Sequence, residues 1–179
     1  MWLALIKQYW QVSLLKRTPA DTVYSPLLLG LSACFYFLLI ACQWLMSDVE
    51  LNFQITKALT IATALTGSYL VYTFFLLRLF HVANRTVQTL TSLFMVHVLI
   101  HLFAVPLLVL NPLLLKTNTE QMLAPFLGVL YLFMTFILTL WQLLSVTFIY
   151  KHALSKEYLN GFLASLGLLA CNVLSVSMV

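Results

Sequence analysis

Five blocks of uncharged, apolar sequence dominate this chain, at 26–46, 58–77, 86–115, 121–150 and 158–179. Each is long enough to cross a hydrocarbon layer of about 30 Å, which takes roughly 20 helical residues. A backbone surrounded by lipid must satisfy its own hydrogen-bonding groups, so only helices and closed barrels span membranes. Barrel strands alternate apolar and polar residues, whereas these runs are continuous. The expected fold class is therefore all-α: a polytopic membrane helical bundle with five transmembrane helices, at about 26–46, 56–78, 89–110, 123–149 and 159–178. The chain is 63% hydrophobic and 8% charged, against roughly 45–50% and about 25% in soluble domains. Its connections are too short to hold a folded soluble domain, so a single bundle uses nearly everything after residue 25.

The charges that remain lie between the blocks and set an orientation. Lys7, Lys16, Arg17, Arg78, Arg85, Lys151 and Lys156 fall on one side, while Lys57 and Lys116 share the other with Asp48, Glu50 and Glu120. Basic residues are retained in the cytoplasm. The N terminus is thus expected inside and the C terminus outside, in a bacterial inner (cytoplasmic) membrane. The net charge of +4 then reports topology and a rim that attracts anionic lipid headgroups, and no nucleic-acid partner is implied. The sequon Asn84-Arg85-Thr86 falls on the cytoplasmic side, away from glycosylation.

Residues 1–25 read as an interfacial amphipathic helix followed by a linker. Lys7, Gln8 and Gln11 gather on one face, and Trp2, Leu3, Leu5, Ile6, Tyr9 and Leu14 occupy much of the remainder. Trp and Tyr favour the headgroup layer. Polar interruptions and the lack of a charged start argue against a secretory signal. Pro19 breaks the helix, and Ser25-Pro26 supplies a cap and a favoured first residue for the first span.

Small residues mark the second and fifth spans as closely packed. Ala58, Ala62, Gly67 and Ser68 lie in one, and Gly161, Ala164, Ser165, Gly167 and Ala170 in the other; small side chains let helix backbones approach. The third block is longer than a straight crossing requires. It is expected to tilt or to bend at Pro106, which deprives Leu102 of its donor, and to leave the membrane at Asn111-Pro112. Cys34, Cys42 and Cys171 lie within spans as small apolar fillers, with no metal-type spacing.

The stretch "FMVHVLIHLFAVP" sets His97 and His101 one helical turn apart, on one face. Ionisable residues at this depth face the protein interior and find partners. At 1.5 Å per residue, the depth of His97 matches that of Thr139 and Gln142, part of a polar stripe with Thr135 and Ser145 on the fourth span. His97 is therefore expected to bond the Thr139/Gln142 stripe. His101 is expected to meet Asn172 or the carbonyl loosened by Pro106. These five residues, His97, His101, Thr139, Gln142 and Asn172, are the candidate binding or relay positions.

No catalytic residue, metal ligand set or cofactor is expected. No span contains Asp or Glu, and metal sites need at least three protein ligands. The HxxxH spacing resembles one box of the membrane fatty-acid desaturases and hydroxylases, a family with about eight histidines where this chain has four. Haem ligands at one depth on different helices are not offered by His81, His97, His101 and His152. Gly67-Ser68 lacks the nucleophile context of a rhomboid-like protease. The order of five spans with the N terminus inside is similar to that of the Yip family of vesicle-trafficking membrane proteins; the likeness is topological, without a shared motif or that family's long cytosolic N-terminal region.

The first functional expectation is a small integral membrane accessory or scaffold subunit, docking to larger membrane partners or to copies of itself. The alternatives are a small oligomeric transporter or channel with His97 and His101 lining a proton or solute path, and a cofactor-bearing redox subunit.

Overall fold

The computed structural model describes residues 2–47, 55–116 and 123–178. Within them the chain is helical, with no strand: α1 (Trp2–Ser13), α2 (Pro26–Ser47), α3 (Ile55–Leu79), α4 (Thr86–Lys116), α5 (Leu123–Leu154) and α6 (Tyr158–Ser177). Five of these, α2 to α6, are long and apolar enough to cross a membrane, as expected of a multi-pass membrane protein.

The five long helices form a ring. Neighbours run α2, α4, α5, α6, α3 and back to α2, and α3 also touches α4 across the interior. The centre is filled by large side chains, among them Tyr36, Tyr69, Phe94, Ile149 and Tyr150, each at most 2% exposed. Sequence adjacency therefore does not give spatial adjacency: α3 and α4 follow one another along the chain, yet the tighter partners of α4 are α2 and α5. We call the end of the ring holding Arg78, Arg85, Lys151 and Lys156 the basic end.

Small residues are used unevenly. A side-chain carbon added to Gly161 would meet the Thr147 carbonyl oxygen at 2.6 Å and the Lys151 nitrogen at 2.9 Å, so α5 and α6 touch backbone to backbone there. One added to Gly167 would run into the Tyr72 phenol, whereas Gly30, Gly67 and Gly128 have nothing within 4 Å. The small-residue face of α6 is thus packed, and in α3 only part of the corresponding set, Ala58 and Ala62 included, is buried. Thr60 and Thr63 are exposed and turn their hydroxyls back to Thr56 O and Leu59 O.

α4 differs from expectation beyond Pro106. The helix continues through both Pro106 and Pro112 to Lys116, although the stretch apolar enough to cross a membrane ends at Leu110. Its 31 residues amount to about 46 Å at 1.5 Å per residue, more than the roughly 30 Å hydrocarbon layer. Membrane helices tolerate proline because neighbours and local adjustments compensate the lost bond.

α1 also departs from the expected picture of a solvated polar face. Gln8 is buried and donates to Asp21 O at 2.9 Å, while Tyr9, Val12 and Ser13 are fully buried against the bundle. Trp10 packs between Phe103 of α4 and Trp141 of α5, with ring centroids 5.8 and 5.7 Å away. The last carbonyls of a helix have no partner within it. At the end of α1, Ser13 O accepts from Trp141 Nε1 at 2.7 Å and from Ser145 at 3.0 Å. Ser145, the inner member of the expected α5 stripe, therefore anchors α1. Gln88 completes the strap by donating to Ala20 O and Thr22 O.

Three helices end in the same left-handed cap. Leu15, His81 and Ser155 have φ of 61°, 58° and 52°. Each is followed by the long return bond of a Schellman motif: Lys16 N to Gln11 O, Val82 N to Leu77 O, and Lys156 N to Lys151 O. A side chain in this region costs roughly 1–2 kcal/mol, which glycine escapes. His81 is exposed, so packing of its side chain does little to offset that strain. His81→Gly should accordingly stabilise the protein by up to about 1 kcal/mol, read as a raised thermal midpoint in detergent.

Candidate functional site

The helices bring together a column of polar and aromatic side chains inside an otherwise apolar ring. α4 contributes His97, which is fully buried. Its Nδ1 lies 2.7 Å from Leu93 O and its Nε2 lies 2.7 Å from the Tyr69 hydroxyl of α3. A carbonyl only accepts, so Nδ1 carries the proton and Nε2 accepts from Tyr69. One neutral tautomer of His97 is thereby saturated.

One turn further along α4, His101 is held by a residue that sequence reasoning did not single out. Gln43 of α2 accepts from His101 Nδ1 at 2.9 Å through Oε1, and donates to the His101 carbonyl at 2.9 Å through Nε2. This pairing uses both ends of one amide, which fixes the amide orientation and again places the imidazole proton on Nδ1. The two imidazoles lie on the same face, 6.4 Å apart between centroids. Tyr36 sits edge-on to both, at 6.0 and 6.1 Å.

The expected partners are thereby corrected. Thr139 is exposed and satisfies its own hydroxyl on Thr135 O at 2.8 Å, as Thr135 does on Tyr131 O. A threonine in a helix needs no neighbour, because the carbonyl one turn back is within reach. Depth matching selected the right level but could not see which way the side chain pointed. Asn172 does not meet His101; it accepts from Ser68 at 2.5 Å. Gln142 and Asn172 do come together beside the Tyr69 hydroxyl, around a small space that His97 also lines. Of the five candidate residues, His97, Gln142 and Asn172 share one cluster, His101 adjoins it, and Thr139 lies outside.

Towards the basic end the column continues. Thr73 pairs with Tyr150 at 2.8 Å, and Tyr72 donates to Ala164 O at 2.8 Å. Ser165 donates to Phe162 O, so its 3.0 Å contact with Thr147 is donated by Thr147. Arg85 closes the end by donating to the carbonyls of His152 and Ala153 at 3.0 and 3.1 Å, and to Ser155. Those carbonyls lie in the last turn of α5, where helix carbonyls run out of helical partners, and that of His152 also accepts from Ser155 N at 3.3 Å. Tyr36 and Tyr69 carried a usable signal: tyrosines in mid-span, away from the headgroup layer, need an internal partner when buried.

The space beside this column is small. The cavity bounded by Tyr69, His97, Gln142, Ser165 and Asn172 measures about 30 Å³, the size of one water molecule. Among the described residues, no three His, Cys, Asp or Glu side chains gather to hold a metal ion. The arrangement defines a class of site: an interhelical hydrogen-bond lock, in which Tyr69 with His97, Gln43 with His101, Thr73 with Tyr150 and Thr147 with Ser165 each join two helices. The chain matches no family model, no curated protein and no solved structure.

Proposed function

We propose that this chain is a small membrane-embedded accessory subunit that docks to a partner membrane protein along the exposed half of α5. One observation carries the reading. No residue from 125 to 144 is buried, although the stretch that follows, from Ser145 to Tyr150, is buried without a break. Gly128, Thr135 and Thr139 fall on one face of that half, and Gly128 has open space around it. Small residues and threonines are the groups that transmembrane helices use to approach and bond one another. In α6 the same kind of face is packed within the chain; in α5 it is turned outward.

The packed centre supports this reading over transport. A solute path past His97 and His101 would need more than a water-sized space, and both histidines spend their Nδ1 protons inside the chain. We place the N terminus and the basic end at the cytoplasmic face of a bacterial inner membrane, on the distribution of Lys and Arg. There Lys16, Arg78 and Lys156 are exposed and available to anionic headgroups, while Lys151 lies 3.5 Å over the Tyr158 ring.

The test is a photo-crosslinking residue at Thr135 or Thr139 in native membranes. An adduct with another polypeptide is expected, and Gly128→Leu with Thr139→Leu should abolish it. A chain that yields no adduct and purifies from mild detergent as a monomer would overturn the reading.

A further inference from the structure

The halves of α4 and α5 furthest from Arg85 part around a cavity of about 370 Å³. Phe103, Pro106 and Leu107 line it from α4, and Leu130, Tyr131 and Met134 from α5. Its floor is firm, because Phe103 is packed against Trp10 and Trp141 with centroids 5.8 Å from each. The Tyr131 phenol is the one hydroxyl on the lining, towards the α4–α5 connection. This face of α5 is distinct from the Gly128–Thr135–Thr139 face.

Size and chemistry select the occupant. The cleft is open at its side, with Phe103, Leu130 and Met134 52%, 40% and 43% exposed, and it offers water a single phenol where a bound water needs two to four polar partners. A transmembrane helix about 10 Å wide fills roughly 420 Å³ in each 5.4 Å turn, so less than one turn would enter. A methylene takes about the 30 Å³ of a water molecule in the liquid, which gives room for roughly a dozen. A leaflet is about 15 Å deep, half the hydrocarbon thickness; Phe103 packs level with Trp141, and the helix from Tyr131 to Trp141 rises about 15 Å at 1.5 Å per residue, so a chain of that reach fits.

The geometry points to a seat for a single lipid acyl chain between α4 and α5. The chain tip rests on the Phe103–Trp10–Trp141 floor, and the ester end lies towards Tyr131. The occupant is a membrane phospholipid, which can lay one chain in a cleft open to the bilayer while its second chain and headgroup stay outside. This inference does not depend on the docking reading, which uses the other face of α5.

Native mass spectrometry of the full chain in mild detergent tests it. One phospholipid-mass adduct per chain is expected; a fatty-acid mass in its place would overturn the assignment. Leu107→Trp and Met134→Trp fill the cleft and should lose the adduct while the helical circular dichroism is kept. If those variants fail to fold, a phospholipid with a photoreactive acyl chain gives the answer on the unmodified protein in nanodiscs. Its crosslinks should concentrate at Leu107, Leu130 and Met134, and not at Val129, Phe133 and Phe136, which are 67%, 58% and 60% exposed on the other side of α5. Absence of a lipid adduct, an adduct unchanged in folded variants, or crosslinks spread evenly over both faces would each overturn the proposal. Failure of the docking test alone would leave these outcomes unaffected.

Discussion

Gly161→Ala should destabilise the bundle by about 1–3 kcal/mol, the usual range for forcing atoms into a filled interior, and Gly161→Leu by more. The added carbon would meet backbone atoms of Thr147 and Lys151, at 2.6 and 2.9 Å. Backbone within a helix cannot swing aside, so α5 and α6 must separate. The Thr147–Ser165 bond, at 3.0 Å, lies about one turn further along the same contact and would lengthen with them. Gly167→Ala should have a smaller effect, since its obstacle is the Tyr72 phenol, the end of a side chain. Displacing that phenol removes its 2.8 Å bond to Ala164 O and little else. Gly30→Ala and Gly67→Ala meet nothing within 4 Å and should be neutral or slightly stabilising, because alanine favours the helix. Thermal unfolding of the five variants in one detergent checks the order. Equal effects at Gly161 and Gly30 would show that α5 and α6 do not touch as described.

This graded use of glycine illustrates what was legible in the sequence and what was not. The spans could be read because hydrocarbon imposes a length and forbids charge, so 26–46 and 158–179 announce themselves without any knowledge of their neighbours. The order of helices around the ring could not, because lipid-facing and core-facing positions are both apolar. Phe133, exposed, and Phe94, buried, are indistinguishable by hydropathy. The need of His97 and His101 for partners was legible from their cost in oil. Their partners were not: the depth argument compared α4 with α5, while Gln43 and Tyr69 came from α2 and α3. Gln142 and Asn172 reached the right neighbourhood because depth alone confines them. Thr139 failed because its hydroxyl can close on its own helix. The anchoring of α1 was hidden for a related reason, since the donors that satisfy its last carbonyls, Trp141 and Ser145, lie more than 100 residues away.

His97→Ala should be the most damaging single change in the polar column, by about 3 kcal/mol. Two terms add. Truncating a fully buried side chain to alanine leaves a void, at about 2–5 kcal/mol for residues of similar bulk. The Tyr69 hydroxyl also loses its acceptor, and an orphaned buried donor costs about 1–3 kcal/mol. Gln142 and Asn172 lie beside that hydroxyl and recover most of the second term, which holds the total at the low end of the summed range. A cycle built from His97→Leu, Tyr69→Phe and the double variant separates the bond from the void. Interhelical bonds in membranes couple by about 0.6 kcal/mol on average and reach about 1.7. At 2.7 Å, with both partners fully sheltered, this pair belongs in the upper half of that range, so about 1 kcal/mol is expected. The double variant should then be more stable than the sum of the single losses predicts, because Leu and Phe leave neither a donor nor an acceptor stranded. Additive losses would mean that Tyr69 and His97 do not lock α3 to α4, and the column would have to be explained by something other than cohesion.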